Sequence, residues 1–251
     1  MALSDRSVHI CFIGGCHVEG YIVGKDNSFP RVVAKTLQDA RINPIVTTHG
    51  PLAFKNVASI KRILAADHPD VLVLQMGNHE GSPSIIRGHI KKLKKKLGHT
   101  KLGPCSSSTE VTPTIKMPVP SAEYRLSIIL RIKYFFKKPL HYIFGSLLFP
   151  RKVISTQIIE FFRVIHDAHI PCVIVLGSLH NCDPTIDRYR RILSQLTDEY
   201  LHRFNSHIHD TTPLFSGHQD LFLPDGAHLN IKGHSALGLN VSREVLAELS
   251  H

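Results

Sequence analysis

The chain has no tryptophan, three methionines and five cysteines in 251 residues. Five is an odd number, no CxxC pair occurs and no zinc-type spacing is present. That argues against a disulfide framework or a structural zinc module and for reduced thiols. No HExxH motif occurs among the 18 histidines. The nearest cluster, His207, His209 and Asp210, alternates as a strand would and is not read as a metal site. No run reaches 18 uncharged apolar residues, so no membrane-spanning helix is expected. The first apolar run, Val8 to Ile13, is too short for a signal-peptide core with its cleavage site. The expected location is therefore cytoplasmic, with neither metal nor cofactor.

Acidic residues are scarce in one place. From Gly81 to Ile159 there are 15 Lys and Arg but only two acids, Glu110 and Glu123. That window carries +13, whereas the other 172 residues carry −3. The formal net charge of +10 therefore belongs to a segment and not to the whole chain. No recognition motif accompanies it, which argues against a specific nucleic-acid partner. With 43% hydrophobic and 20% charged residues, the composition is globular and not disordered.

The first 80 residues read β-α-β-α-β. Val8–Ile13, Pro44–Thr48 and Asp70–Met76 are short apolar strands. Ser28–Ala40 and Phe54–Ala66 have helical spacing, with Ser28 as a cap and Pro30 tolerated in the first turn. Residues 81–121 break the pattern with Gly, Pro, Ser, Thr and Lys. Residues 124–149 mix apolar and basic side chains. After Pro150 the alternation resumes: helix Val153–His166, strand Pro171–Gly177, helix Thr185–Phe204, strand Ser206–Thr212, helix His234–Leu249. This pattern predicts an α/β sandwich of one domain over residues 1–251, with 81–150 as an insertion after the third strand.

In an open parallel sheet, ligands bind beyond the carboxyl ends of the strands. Three polar blocks fall there. The first strand ends in Gly14-Gly15-Cys16-His17-Val18-Glu19-Gly20. The third ends in Gln75-Met76-Gly77-Asn78-His79-Glu80. Near the C-terminus stands Asp225-Gly226-Ala227-His228.

Together these blocks resemble the SGNH (GDSL-type) hydrolase family, in which a nucleophile block follows the first strand and an Asp-x-x-His lies near the C-terminus. The resemblance implies a three-layer α/β/α sandwich with a parallel, flavodoxin-like sheet of about five strands. The flanking glycines Gly14 and Gly20 match the nucleophile block, but Cys16 stands where the family has Ser, and Gly15 where it has Asp. A thiolate is a chemically sensible replacement, because a nearby His can activate it. For the family's Asn, alignment on the strand end gives Asn78 and alignment on Gly77 gives His79. Asn78 is preferred because an amide donates to an oxyanion independently of pH. Gly50 falls where the family's oxyanion glycine stands.

The implied chemistry is nucleophilic acyl transfer: Cys16 attacks, His228 moves the proton and Asp225 orients His228. Gly50 and Asn78 serve the oxyanion, and His17, His79 and Glu80 line the pocket. The implied substrate is a carbohydrate or other small ester, an anionic one where the basic insertion forms a wall. Two further readings stand beside hydrolysis: an acyltransferase moving an acyl group from a thioester to a glycan, and a non-catalytic binding protein. The basic, apolar stretch 124–149 is also suited to lie against an anionic membrane surface.

Overall fold

The computed structural model describes residues 7–76, 151–179, 184–202 and 209–250. Asn78, His79, Glu80, the insertion at 81–150 with its 124–149 segment, Cys105, Cys182, Phe204 and His207 lie outside the described residues.

Four parallel strands form the sheet: β1 (Ser7–Gly14), β2 (Asn43–His49), β3 (Val71–Gln75) and β4 (Cys172–Leu176), in the order β2-β1-β3-β4. All five residues of β3 are buried, and β1 is buried over most of its length. This is why both strands read as nearly continuous apolar runs. The expected fifth strand differs: among the described residues only His209 joins the sheet, through a single parallel bridge to Leu176. Thr212, assigned to that strand, instead begins a short helix.

Helices cover both faces. Helix α1 (Phe29–Asp39) and the C-terminal helix α6 (Ile231–Leu249) pack on one face, where Val8, Ile10, Phe12, Val71 and Val73 meet Val33, Leu37, Leu237 and Val241. Helices α2 (Val57–Asp67), α3 (Arg151–Asp167) and α4 (Pro184–Leu201) cover the other, with Ile13, Leu72 and Leu74 against Ile60, Ile158, Phe161 and Leu193. Alternate residues of β1 and β3 thus feed two separate cores, as the two-residue period of a strand requires. A one-turn helix, α5 (Thr212–Phe215), precedes the loop to α6.

Helix starts depart from the sequence pattern at α2 and α6, and the cap of α1 bonds in an unexpected way. Helix α2 begins at Val57, because the Asn56 side chain accepts the Ala53 amide and turns the chain first. Helix α6 begins at Ile231, where the Asn230 side chain caps the Gly233 amide. Ser28 does hold the cap position of α1, but its hydroxyl donates to the Lys25 carbonyl. The amide of Phe29 donates instead to His234 Nδ1, at 3.2 Å. His234, expected at the end of α6, is buried inside it and completes α1.

Helices α1 and α6 approach closely at Gly238. A Cβ there would lie 2.5 Å from Val32 Cβ and 3.0 Å from the Phe29 carbonyl oxygen. Two effects compete in Gly238→Ala. Helix propensity favours Ala by about 1 kcal/mol, while overpacking of a closed contact costs about 1–3 kcal/mol. The second wins because β-branched Val32 and the backbone cannot retreat. The expected result is a lower urea midpoint; a midpoint raised by the propensity gain alone would refute the close packing.

Candidate active site

The C-terminal ends of the strands bring the first and last sequence blocks together. Beyond β1 the chain folds into successive tight turns: the Val18 amide donates to the Gly15 carbonyl, Gly20 to His17, and Tyr21 to Cys16. These turns hold Cys16 half-buried at the sheet edge while His17 turns inward and is buried. Gly50 abuts the same loop, since a Cβ on it would lie 3.0 and 3.1 Å from the carbonyl oxygens of Gly14 and Gly15.

The loop before α6 is fixed with comparable density. Phe222 and Leu229 form an antiparallel bridge, and the Leu223 amide donates to the His228 carbonyl at 2.7 Å. Asp225 Oδ1 accepts the amides of Ala227 and His228, at 2.9 and 3.0 Å. Its other oxygen meets His228 Nδ1 at 2.6 Å. The Asp-x-x-His spacing therefore builds a turn and an ion pair from one carboxylate.

The electrostatics follow from this packing. Burial would raise the Asp225 carboxyl, but hydrogen bonds from the His228 ring and from the two amides override it and hold the group down at about 2. Burial would likewise lower His228, but the Asp225 hydrogen bond and the neighbouring Cys16 side chain push it up to about 9. The imidazole thus bonds to Asp225 through Nδ1 and has Cys16 as a second, electrostatically coupled neighbour. At neutral pH it is an acid able to hand a proton to a leaving group.

Three more groups surround this pair. The Tyr21 ring lies 4.7 Å from the His228 ring, and the His17 ring lies 5.6 Å from it. His17 also lies 5.9 Å from His234. Arg190 of α4 is buried, donates to the Leu179 carbonyl at 2.8 Å, and acts electrostatically on Cys16, Asp225 and His17. Burial holds its guanidinium down to about 10, so it stays charged at neutral pH. The sequence reading missed Arg190; its one signal was a basic residue on the apolar side of a helix. Arg190 also lines a cavity of about 350 Å³ at the end of β4, with Ser178, Asp187, Ser194 and Asp210 among its other walls. Acids share that lining with Arg190 and Arg191, so the cavity is not a purely cationic one.

Cys11 packs in the hydrophobic core and also borders a polar network. Its register partner is Thr47, whose hydroxyl donates to Asp67 at 2.8 Å, and His49 meets the same carboxylate oxygen at 2.7 Å. The ligand atoms of Cys11, His49 and Asp67 lie within 4.8 Å of one another, a spacing that could hold a metal ion. As a nucleophilic triad the group is unsuited: Cys11 has no exposed surface, and burial pushes its thiol up to about 12. Asp67 is instead held low by His49 and Thr47 against its own burial. The network ties the end of α2 to the edge strand β2.

No protein-family model matches the chain, and no curated protein matches it. Solved structures do. The chain is similar to the psychrotrophic esterase EstA from Pseudoalteromonas sp. at 12% identity, with 97% of this chain and 99% of that one covered and a TM-score of 0.59. It is similar to Est24, a carbohydrate acetylesterase from Sinorhizobium meliloti, at 11% identity, 97% and 99% coverage and a TM-score of 0.55. It is similar to a family 3 carbohydrate esterase of Clostridium thermocellum at 13% identity, 96% and 99% coverage and a TM-score of 0.52. At these identities the likeness establishes a shared fold: the parallel α/β/α sandwich of these esterases is the fold of this chain.

Proposed function

We propose that the chain, as one domain over residues 1–251, is an ester hydrolase acting on a carbohydrate or other small ester, with Cys16 as nucleophile. The observation that carries this reading is the Asp225–His228 pair, electrostatically coupled to a half-buried cysteine beyond the carboxyl ends of the strands, where α/β folds bind ligands. Cys16, its proton held on His228, attacks the ester carbonyl as a thiolate, and a tetrahedral oxyanion forms. Collapse breaks the bond to the alkoxy oxygen, which takes the proton from His228. The thioester is then cleaved by water, whose proton goes to His228. Asp225 keeps the imidazole in the orientation that allows both transfers. The backbone amides of Cys16 and Gly50, with Asn78, are proposed to hold the oxyanion.

The names of the structural neighbours support an ester substrate, and two of them are carbohydrate esterases. The insertion at 81–150 is proposed to form a basic wall or lid, and its 124–149 stretch to touch an anionic surface. No helix among the described residues is long and apolar enough to cross a membrane.

Alkylation with peptide mapping tests the nucleophile. Burial pushes Cys172 up to about 11 and Cys11 to about 12, so both react slowly at neutral pH. Iodoacetamide at pH 7 is expected to label Cys16 at least about tenfold faster than either. Equal slow labelling of all three would sink the catalytic reading.

A further inference from the structure

The residue after Cys16 is placed for more than lining a pocket. His17 is buried, and its Nδ1 lies 3.8 Å from Cys16 Sγ, within reach of a hydrogen bond to sulfur. On the far side of the ring, the amide of Leu229 donates to His17 Nε2 at 3.4 Å. Leu229 directly follows His228, so the loop that carries the base also fixes the ring of its neighbour.

This contact decides the tautomer. A ring nitrogen that accepts an N–H bears no hydrogen, so the hydrogen of a neutral imidazole must sit on the other nitrogen. Here that nitrogen is Nδ1, the one facing sulfur. The ring is neutral because its surroundings disfavour a second charge. Burial comes first, then His228 and His234 from the other side of the site, then Arg190 from α4, with Asp225 alone opposing them. Tyr21 completes the set of titratable groups around the pair, through its contact with the His228 ring.

We infer that His17 is a positioning residue for Cys16, donating its Nδ1–H to the sulfur and stabilising it as a thiolate. The inference rests on the Cys16–His228 reading above and deepens it. Cys16 then lies between two imidazoles with different tasks: His228 exchanges a proton with it, while His17 keeps its proton and offers it as a hydrogen bond. Such a bond to an anion is stronger than one to a neutral thiol, so it favours the form that attacks.

Two substitutions separate this role from a purely structural one. Asn places its amide near the position of Nδ1, and Gln places it near Nε2. His17→Asn therefore keeps a donor toward sulfur and loses the partner of Leu229. His17→Gln keeps the partner and loses the donor. The full chain and its variants are alkylated with iodoacetamide between pH 5 and 9, and Cys16 labelling is followed by peptide mapping. His17→Gln is expected to move the rise of labelling up by about one pH unit, slowing it about tenfold on the acid side. His17→Asn is expected to stay within about threefold of the native chain, on the same scale. The reverse order, with Gln native-like and Asn impaired, overturns the inference in favour of a structural prop for the His228 loop. So do native-like profiles in both variants while His228→Ala labels slowly. If His228→Ala also labels like the native chain, the Cys16–His228 reading fails and the inference falls with it.

Discussion

Asp225→Asn is expected to lower kcat for a small ester about 10³–10⁴-fold without unfolding the protein, an effect of the size seen when the acid of a Ser-His-Asp system becomes an amide. Asn has the same shape, and its oxygen can still accept the amides of Ala227 and His228, which keeps the turn. What changes is the 2.6 Å contact with His228 Nδ1. An NH₂ group in that position donates where an acceptor is needed. The imidazole must then present its bare nitrogen to Asn, which puts the hydrogen on the nitrogen facing Cys16. Flipping the amide restores the acceptor to His228 but sets its NH₂ against two backbone N–H groups. The first arrangement holds the wrong tautomer, and the second leaves donor against donor.

The pH profile should move with the rate. His228 stands at about 9 because Asp225 and Cys16 outweigh its burial. Its protonated form is required to release the leaving group, so activity of the native chain falls as pH rises through about 9. Without the carboxylate that alkaline limb moves down toward the ordinary histidine range. The limb belongs to the coupled Cys16–His228 pair and not to one residue. A fall in kcat of less than tenfold with an unmoved alkaline limb would exclude Asp225 from the mechanism. Cys16→Ala, assayed beside it, should lose at least as much, because no other described group stands in for the sulfur.

The sequence made the sheet legible where burial was uniform. β3 is apolar from Val71 to Leu74 because helices cover both its faces, and its limits differ from the sequence reading by one residue at each end. The Asp225–His228 pair was legible for a local reason: three residues of spacing and one turn are enough to close it. Interactions between distant segments were not legible. Nothing in Ser28-Phe29-Pro30 reveals that His234, 205 residues away, accepts the Phe29 amide. Cys11 is apolar in its packing, but the Thr47–Asp67 network that it borders comes from other elements and left no mark in the sequence. The fifth strand was read from alternation at Ser206–Thr212, yet among the described residues only His209 bridges to β4. Alternation reports a side-chain period and does not guarantee a pairing partner.

The buried histidines that complete the site should also make the fold acid-sensitive, in a window set by their own titration. His234 has no exposed surface, and its Nδ1 accepts the Phe29 amide. Protonation would place an N–H against that amide and a charge in the core. Burial, aided by His228, therefore lowers His234 to about 4, and His17 is lowered well below its ordinary value for related reasons. For a histidine lowered on folding, both states are neutral above pH ~6.5 and there is no penalty. Below that pH the unfolded chain takes up protons that the folded chain refuses, and stability falls. For His234 alone the loss approaches about 3 kcal/mol by the time pH reaches about 4, because each tenfold difference in proton affinity between the two states is worth about 1.4 kcal/mol. His17 adds to it. The carboxylates act elsewhere: Asp225, lowered to about 2, contributes stability above its unfolded value near 3.8, which is lost only as pH falls through about 2. His228, raised to about 9, contributes stability that is full below ~6.5 and lost as pH rises through about 9. Stability should therefore peak near pH ~6.5 and decline on both sides. Urea unfolding at about pH 7 and about pH 4.5 measures the acid side. In His234→Asn the side-chain oxygen can still accept the Phe29 amide but does not titrate. That variant is expected to lose about 2 kcal/mol less than the native chain between the two pH values. Parallel losses in both proteins would show that His234 is not the group that resists the proton.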